Sequence, residues 1–161
     1  MSGEESESVA VVVYREDGTW QSGVLPERVN ADLDGLIGVL RQQPGDSGAI
    51  GLVNVADEFF VALRVRGDDV RLMLSDVTAA SAWGLPRQVA DRLGIEHAGE
   101  DPDEIWPAGD VGIFADLGMD ETELGFVLSD LDAYADEMLI SVADKLGFAE
   151  VYDRALEAQP R

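Results

Sequence analysis

The middle of the chain holds three apolar segments in immediate succession, at residues 50–55, 59–66 and 70–74. The second and third are separated by only Gly67-Asp68. A two-residue link with glycine joins antiparallel neighbours, because parallel strands need a crossover of a dozen or more residues. The link also sets the register: Val65 opposite Val70, Leu63 opposite Leu72, Arg64 opposite Arg71. Side chains alternate across a strand. Val61, Leu63, Val65, Val70, Leu72 and Leu74 therefore share one face, the expected core. Phe60, Ala62, Arg64, Arg66, Arg71 and Met73 share the other. Arg64, Arg66 and Arg71 form a basic sheet cluster, and like charges directly opposite cost stability unless something negative lies over them. Either acidic C-terminal helices pack over this face and supply carboxylates, the favoured reading, or the cluster is an anion or partner site.

Around this meander the remaining elements fall into place. Residues 8–14 are β-branched on both pleat faces, which predicts a central strand covered on two sides. Glu16-Asp17-Gly18 is a turn, and residues 20–25 make a second strand. Asp32 is placed to cap an amphipathic helix through Gln43, ended by the turn formers at 44–48. A segment from Ser75-Asp76 to Leu93 reads as helix, broken or kinked at Pro86. Residues 95–109 read as a loop rich in glycine, proline and acid. Asp110 then caps a helix over 111–117, Asp120 starts a helix with acids in its first turn, and Asp136 starts another that Gly147 stops. Residues 148–156 supply a last amphipathic turn or two.

The fold class is α+β. An antiparallel sheet of about five strands, in the order ββαβββα, is followed by C-terminal helices. The profilin and longin group shares this order, a fold-level analogy that says nothing of function. The expected organisation is an acidic disordered tail over 1–8, a sheet domain over 9–94, a loop over 95–109, and a helical region over 110–157 packed on the same domain.

The chain carries 33 acidic and 11 basic residues, a formal charge of -22, unevenly divided. Residues 1–95 contain 15 acids and eight arginines. Residues 96–161 contain 18 acids against Lys145, Arg154 and Arg161, a balance of -15. Such a surface repels phosphate backbones and anionic lipid and steers basic partners toward it. The expected partner is a basic protein, with no direct nucleic acid and no membrane. Helix caps account for part of the acid, and solubility, salt adaptation or coding bias account for it equally well.

The catalytic inventory is thin. There is no cysteine, hence no disulfide, thiolate or zinc–sulfur site, which fits the cytoplasm. The first residues are acidic, unlike a signal peptide, and no stretch reaches the roughly 20 apolar residues of a membrane span. His97, the one histidine, sits in an acidic glycine-rich loop and reads as solvated. Gly45-Asp46-Ser47-Gly48 copies a serine-protease nucleophile sequence, but the only histidine follows it and the five residues from Pro44 are turn formers. Calcium loops starting at Asp32 or Asp130 fail at their fifth ligand, Leu36 or Tyr134. No catalytic, cofactor or metal residue is assigned.

Several short segments then form a set: Asp57-Glu58-Phe59-Phe60, Arg64-Val65-Arg66-Gly67-Asp68-Asp69, Leu74-Ser75-Asp76 with Ala79-Ala80, Pro107-Ala108-Gly109-Asp110, Leu117-Gly118-Met119 and Leu146-Gly147-Phe148. In order and spacing they resemble the actinobacterial tRNA adenosine deaminase-associated protein family. The resemblance covers most of residues 50–150 and implies a link to a tRNA-editing deaminase, with no catalytic residues to carry over. The chain is not the deaminase itself, since zinc deaminases need a His/Cys/Cys site and it has no cysteine.

The leading expectation is a non-enzymatic, cytoplasmic accessory protein that docks a tRNA adenosine deaminase through its acidic C-terminal region. Trp106, Pro107, Asp110, Tyr134 and Asp136 are the candidate partner-binding residues, the aromatics because they dominate interface hot spots. Packing of the same residues onto the core is the alternative. A second expectation is a carboxylate-dependent enzyme, with or without a divalent metal, using Asp76, Asp110 and Glu58. A third is a self-assembling scaffold, if Val11, Val13 and Val53 leave apolar sheet surface uncovered.

Overall fold

In the computed structural model, the described residues are 8–25, 32–43, 48–55, 59–75, 84–93, 108–110, 112–129 and 134–157. The tail at 1–7, His97 and the Gly-Asp-Ser of the 44–48 turn lie outside them.

One antiparallel sheet organises the chain. Its strands are β1 (Ser8–Glu16), β2 (Thr19–Val24), β3 (Ala49–Val55), β4 (Phe59–Arg66), β5 (Asp69–Leu74) and the two-residue β6 (Ala108–Gly109), in spatial order β2-β1-β3-β4-β5-β6. The β4–β5 register pairs Val65 with Val70, Leu63 with Leu72 and Arg64 with Arg71, as the hairpin link requires. Gly67 takes φ 60 in that link, and Asp17 and Gly18 take φ 53 and 78 in the β1–β2 turn. Left-handed turn residues match the twist of the flanking strands. The expected central strand, β1, is interior but one place from the edge; β3 and β4 hold the middle because β5 and β6 extend the far side.

Helices cover both faces. On the first, α1 (Leu33–Arg41) and α2 (Gly84–Leu93) bury Leu33, Leu36, Leu40, Leu85 and Val89 against Val12, Val53, Val61, Leu63 and Leu74. Gly51 lets α1 approach β3, since a Cβ there would stand 2.9 Å from Leu40 Cδ1. The N-cap of α1 is Asp32, but its side chain makes no capping bond. The Leu33 N–H donates instead to Gln88 Oε1 of α2 at 2.9 Å. Pro86 lies in the first turn of α2, where its missing N–H costs no helix bond, and the earlier part of the expected segment, 76–83, lies outside the described residues.

On the second face, α3 (Glu121–Leu128), α4 (Ala135–Leu146) and α5 (Ala149–Glu157) cover Val11, Val13, Ile50, Leu52, Phe60, Ala62 and Met73. Trp20 of β2 packs against Phe148 in a tilted ring contact, centroids 5.1 Å apart, and Ser22 Oγ donates to the Val151 carbonyl at 2.7 Å, which fastens α5 to the edge strand. The helix expected over 111–117 is corrected. Only a 3-10 turn, Ala115–Leu117, forms, because the Asp110 carboxylate accepts the Gly112 N–H at 3.0 Å and Gly118 leaves the turn at φ 113. The apolar sheet surface that self-assembly needs is gone: Val11, Val13 and Val53 are 1%, 0% and 0% exposed.

Candidate interaction surface

The second face of β4 carries a charge into the core. Arg64 is 6% exposed, one of two buried polar residues among those described. Its guanidinium forms a two-pronged ion pair with Asp116, one prong at 2.7 Å, and donates to the Ile113 carbonyl at 3.0 Å. The Asp116 carboxyl is held below the usual carboxylate range, chiefly by the hydrogen bond from Arg64, with burial opposing. The counter-charge for the sheet therefore comes from the turn before α3. Arg71, directly opposite Arg64, is half-exposed and lies 3.5 Å from Asp69 and 3.8 Å from Asp110. Arg66 is exposed.

The pair anchors the chain that leads into α3. Ile113 and Phe114 are fully buried beside Arg64, and the Met119 N–H donates to the Phe114 carbonyl. Asp120 then caps α3 in a reciprocal box: its Oδ1 accepts the Glu123 N–H at 2.8 Å, and Glu123 Oε1 accepts the Asp120 N–H at 3.3 Å. Such a cap contributes about 1 kcal/mol and fixes where the helix starts.

The helix so placed has more apolar surface than the core takes. Leu124 and Leu128 are buried, four residues apart on one side. Phe126 stands about 200° around the helix from Leu124 at 3.6 residues per turn and is 80% exposed. Beside it, between α3 and α4, runs an open, mainly apolar groove of about 520 Å³, lined by Met119, Thr122, Glu123, Phe126, Val127, Ser141, Asp144 and Lys145. Lys145 Nζ meets Glu123 Oε2 at 2.6 Å, tying the two helices together. That contact lowers the Glu123 pKa and raises that of Lys145, each chiefly through the shared hydrogen bond.

The residues expected to bind a partner are scattered relative to this groove. Tyr134 is 63% exposed at the start of α4, where its N–H donates to Glu137 Oε1 at 3.2 Å. Asp136 lies in the first turn of the same helix. Neither lines the groove, and Asp110 belongs to the arginine cluster. Trp106 and Pro107 lie outside the described residues, as do the enzyme candidates Glu58 and Asp76. Among the described residues, no group of three His, Asp or Glu side chains is arranged to hold a metal ion, and no helix is long and apolar enough to cross a membrane. Phe126 was missed; its signal was an eight-residue helix, Glu-Thr-Glu-Leu-Gly-Phe-Val-Leu, apolar on more sides than one.

The chain belongs to the Rv3753c-like tRNA adenosine deaminase-associated protein family, whose model matches residues 8–149. It is 37% identical to Protein Rv3753c of Mycobacterium tuberculosis over 142 residues, covering 87% of this chain and 82% of that protein. No solved structure matches it.

Proposed function

From membership of this family, we propose that the chain is a non-enzymatic, cytoplasmic accessory protein that binds a tRNA adenosine deaminase through its C-terminal helical face. The observation that carries the reading is the charge asymmetry. Residues 96–161, which supply α3, α4 and α5, hold a balance of -15. An enzyme that handles tRNA presents basic surface to the phosphate backbone. An acidic protein is steered to such a surface and competes with tRNA for it, or docks beside it as an accessory. Direct binding of nucleic acid or anionic lipid by this face is opposed by the same charge.

The test is titration of the purified protein into the tRNA adenosine deaminase of its own host by calorimetry, at about 50 and 300 mM salt. Binding that weakens as salt screens the charges is expected. Absence of heat and of co-elution at the lower salt would remove the reading.

A further inference from the structure

The groove between α3 and α4 has a shape and a rim that specify its occupant more narrowly than charge alone. We infer that it receives a short amphipathic helix of the partner, bearing two or three apolar side chains on one face and lysine or arginine on the flanks. This rests on the reading of the chain as a docking protein and names the segment it docks.

Four observations support it. Phe126 is 80% exposed and lines the groove with Val127 and Met119, so the groove offers apolar surface that no described part of the chain covers. The rim carries Glu123 and Asp144, and the one rim cation, Lys145, is already engaged by Glu123. That pair cancels, so the net charge of the lining is the single Asp144 carboxylate, which together with the balance of -15 over residues 96–161 favours a basic flank. The groove is walled by helices, α3 and α4. An extended peptide would find no sheet edge to pair with here, whereas a helix brings its own backbone bonds satisfied. The eight residues of α3 span about 12 Å at 1.5 Å per residue. That accommodates anchors at i, i+4 and i+7, spread over about 10.5 Å on the same rise.

Charge decides against two other occupants. A second copy would set Asp144 against the same carboxylate and bring together two chains of -22 each. The chain's own first seven residues, Met-Ser-Gly-Glu-Glu-Ser-Glu, carry the same sign as the rim.

The probe is a 15-residue capped peptide with Leu at i, i+4 and i+7 and Lys and Ala elsewhere, titrated into the full ¹⁵N-labelled chain. Controls are the same composition with the leucines scrambled off one face, and the same pattern with Glu for Lys. The expected result is perturbation of the Thr122, Phe126, Val127 and Ser141 amides by the patterned basic peptide alone. Phe126→Ser and Ser141→Trp, the second filling the groove, should each weaken it at least tenfold with the melting temperature kept. Ile140→Ser, which removes an exposed apolar side chain outside the groove lining, should leave affinity unchanged. Equal binding by the scrambled peptide, perturbations mapping elsewhere, or no effect of Phe126→Ser would overturn the inference. The same variants tested against the deaminase separate the two readings. A deaminase that binds parent and Phe126→Ser alike sinks the groove and leaves the docking function. A peptide that maps to the groove while the deaminase does not bind sinks the function and leaves the groove.

Discussion

Asp116→Asn tests the claim that the turn before α3 is held by a buried charge rather than by its apolar neighbours. The Arg64 side chain is 7% exposed and the Asp116 side chain 57%. Replacing the carboxylate by an amide of the same shape leaves the guanidinium in the core, still donating to the Ile113 carbonyl but without the Asp116 charge. Removing one member of a fully buried pair costs about 3–5 kcal/mol, and an exposed pair is worth about 0–1 kcal/mol. The geometry here is mixed, a buried cation with an anion that water reaches, and places the loss at about 2 kcal/mol. For a chain of this length that lowers the melting temperature by about 4–8 °C. The assay is thermal and urea unfolding at pH 7, with a second variant to isolate the mechanism. Arg64→Met combined with Asp116→Asn removes both charges and puts an apolar chain in the core, a replacement that is often neutral or stabilising. It should regain at least half of what the single variant loses. An Asp116→Asn protein that melts within 1 °C of the parent would refute the argument, and so would a double variant less stable than the single one.

The same contacts set how the molecule responds to pH and to backbone substitution. The pKa of Asp116 is lowered, so its contribution is complete above the unfolded-state value and is lost as pH falls through the folded-state value. The stability gap between parent and Asp116→Asn should therefore shrink below about pH 4 and close in stronger acid, measured by urea midpoints. Glu123 is likewise lowered and Lys145 raised, so the contact across the groove persists from mild acid into the alkaline range and opens at either extreme. Side-chain carboxyl NMR should place the Glu123 titration below the ordinary glutamate range, and Lys145→Met should move it back up. Gly109, at φ 95, faces the Leu72 carbonyl, and an added Cβ would also stand 3.0 Å from Leu93 Cδ1. Gly67, at φ 60, has open space around it. Gly67→Ala should cost only the left-handed penalty of about 1 kcal/mol, and Gly109→Ala clearly more; equal losses would show that the β6 contact is not tight.

The parts of the fold that could be read from residues are those set by local rules. Alternation and a two-residue link determine the β4–β5 register, because a slip by one residue would turn every leucine and valine to the wrong face. What escaped depends on residues far apart in sequence. β6 is two residues long, and its neighbour Asp110 is recruited by an N–H bond to the Leu72 carbonyl, for which no periodicity exists. Asp32 has the type and place of a capping residue, yet the acceptor for Leu33 comes from Gln88, 55 residues on. Asp110 looks like a cap for a helix over 111–117, but its carboxylate closes a tight turn on Gly112, and that turn carries Asp116 to Arg64.

The arginine pattern on the sheet and the acid excess in the C-terminal half meet most closely at the Arg64–Asp116 contact. Arg64 holds Asp116; Met119 is tied back to Phe114, whose neighbour Ile113 accepts from Arg64; Asp120 caps α3. Where α3 starts determines which of its residues face the core. With Leu124 and Leu128 taken inward, Phe126 is left outside. The exposed aromatic is thus a consequence of where the buried charge pins the chain, which composition cannot show, because the same eight residues started one position later would bury a different side.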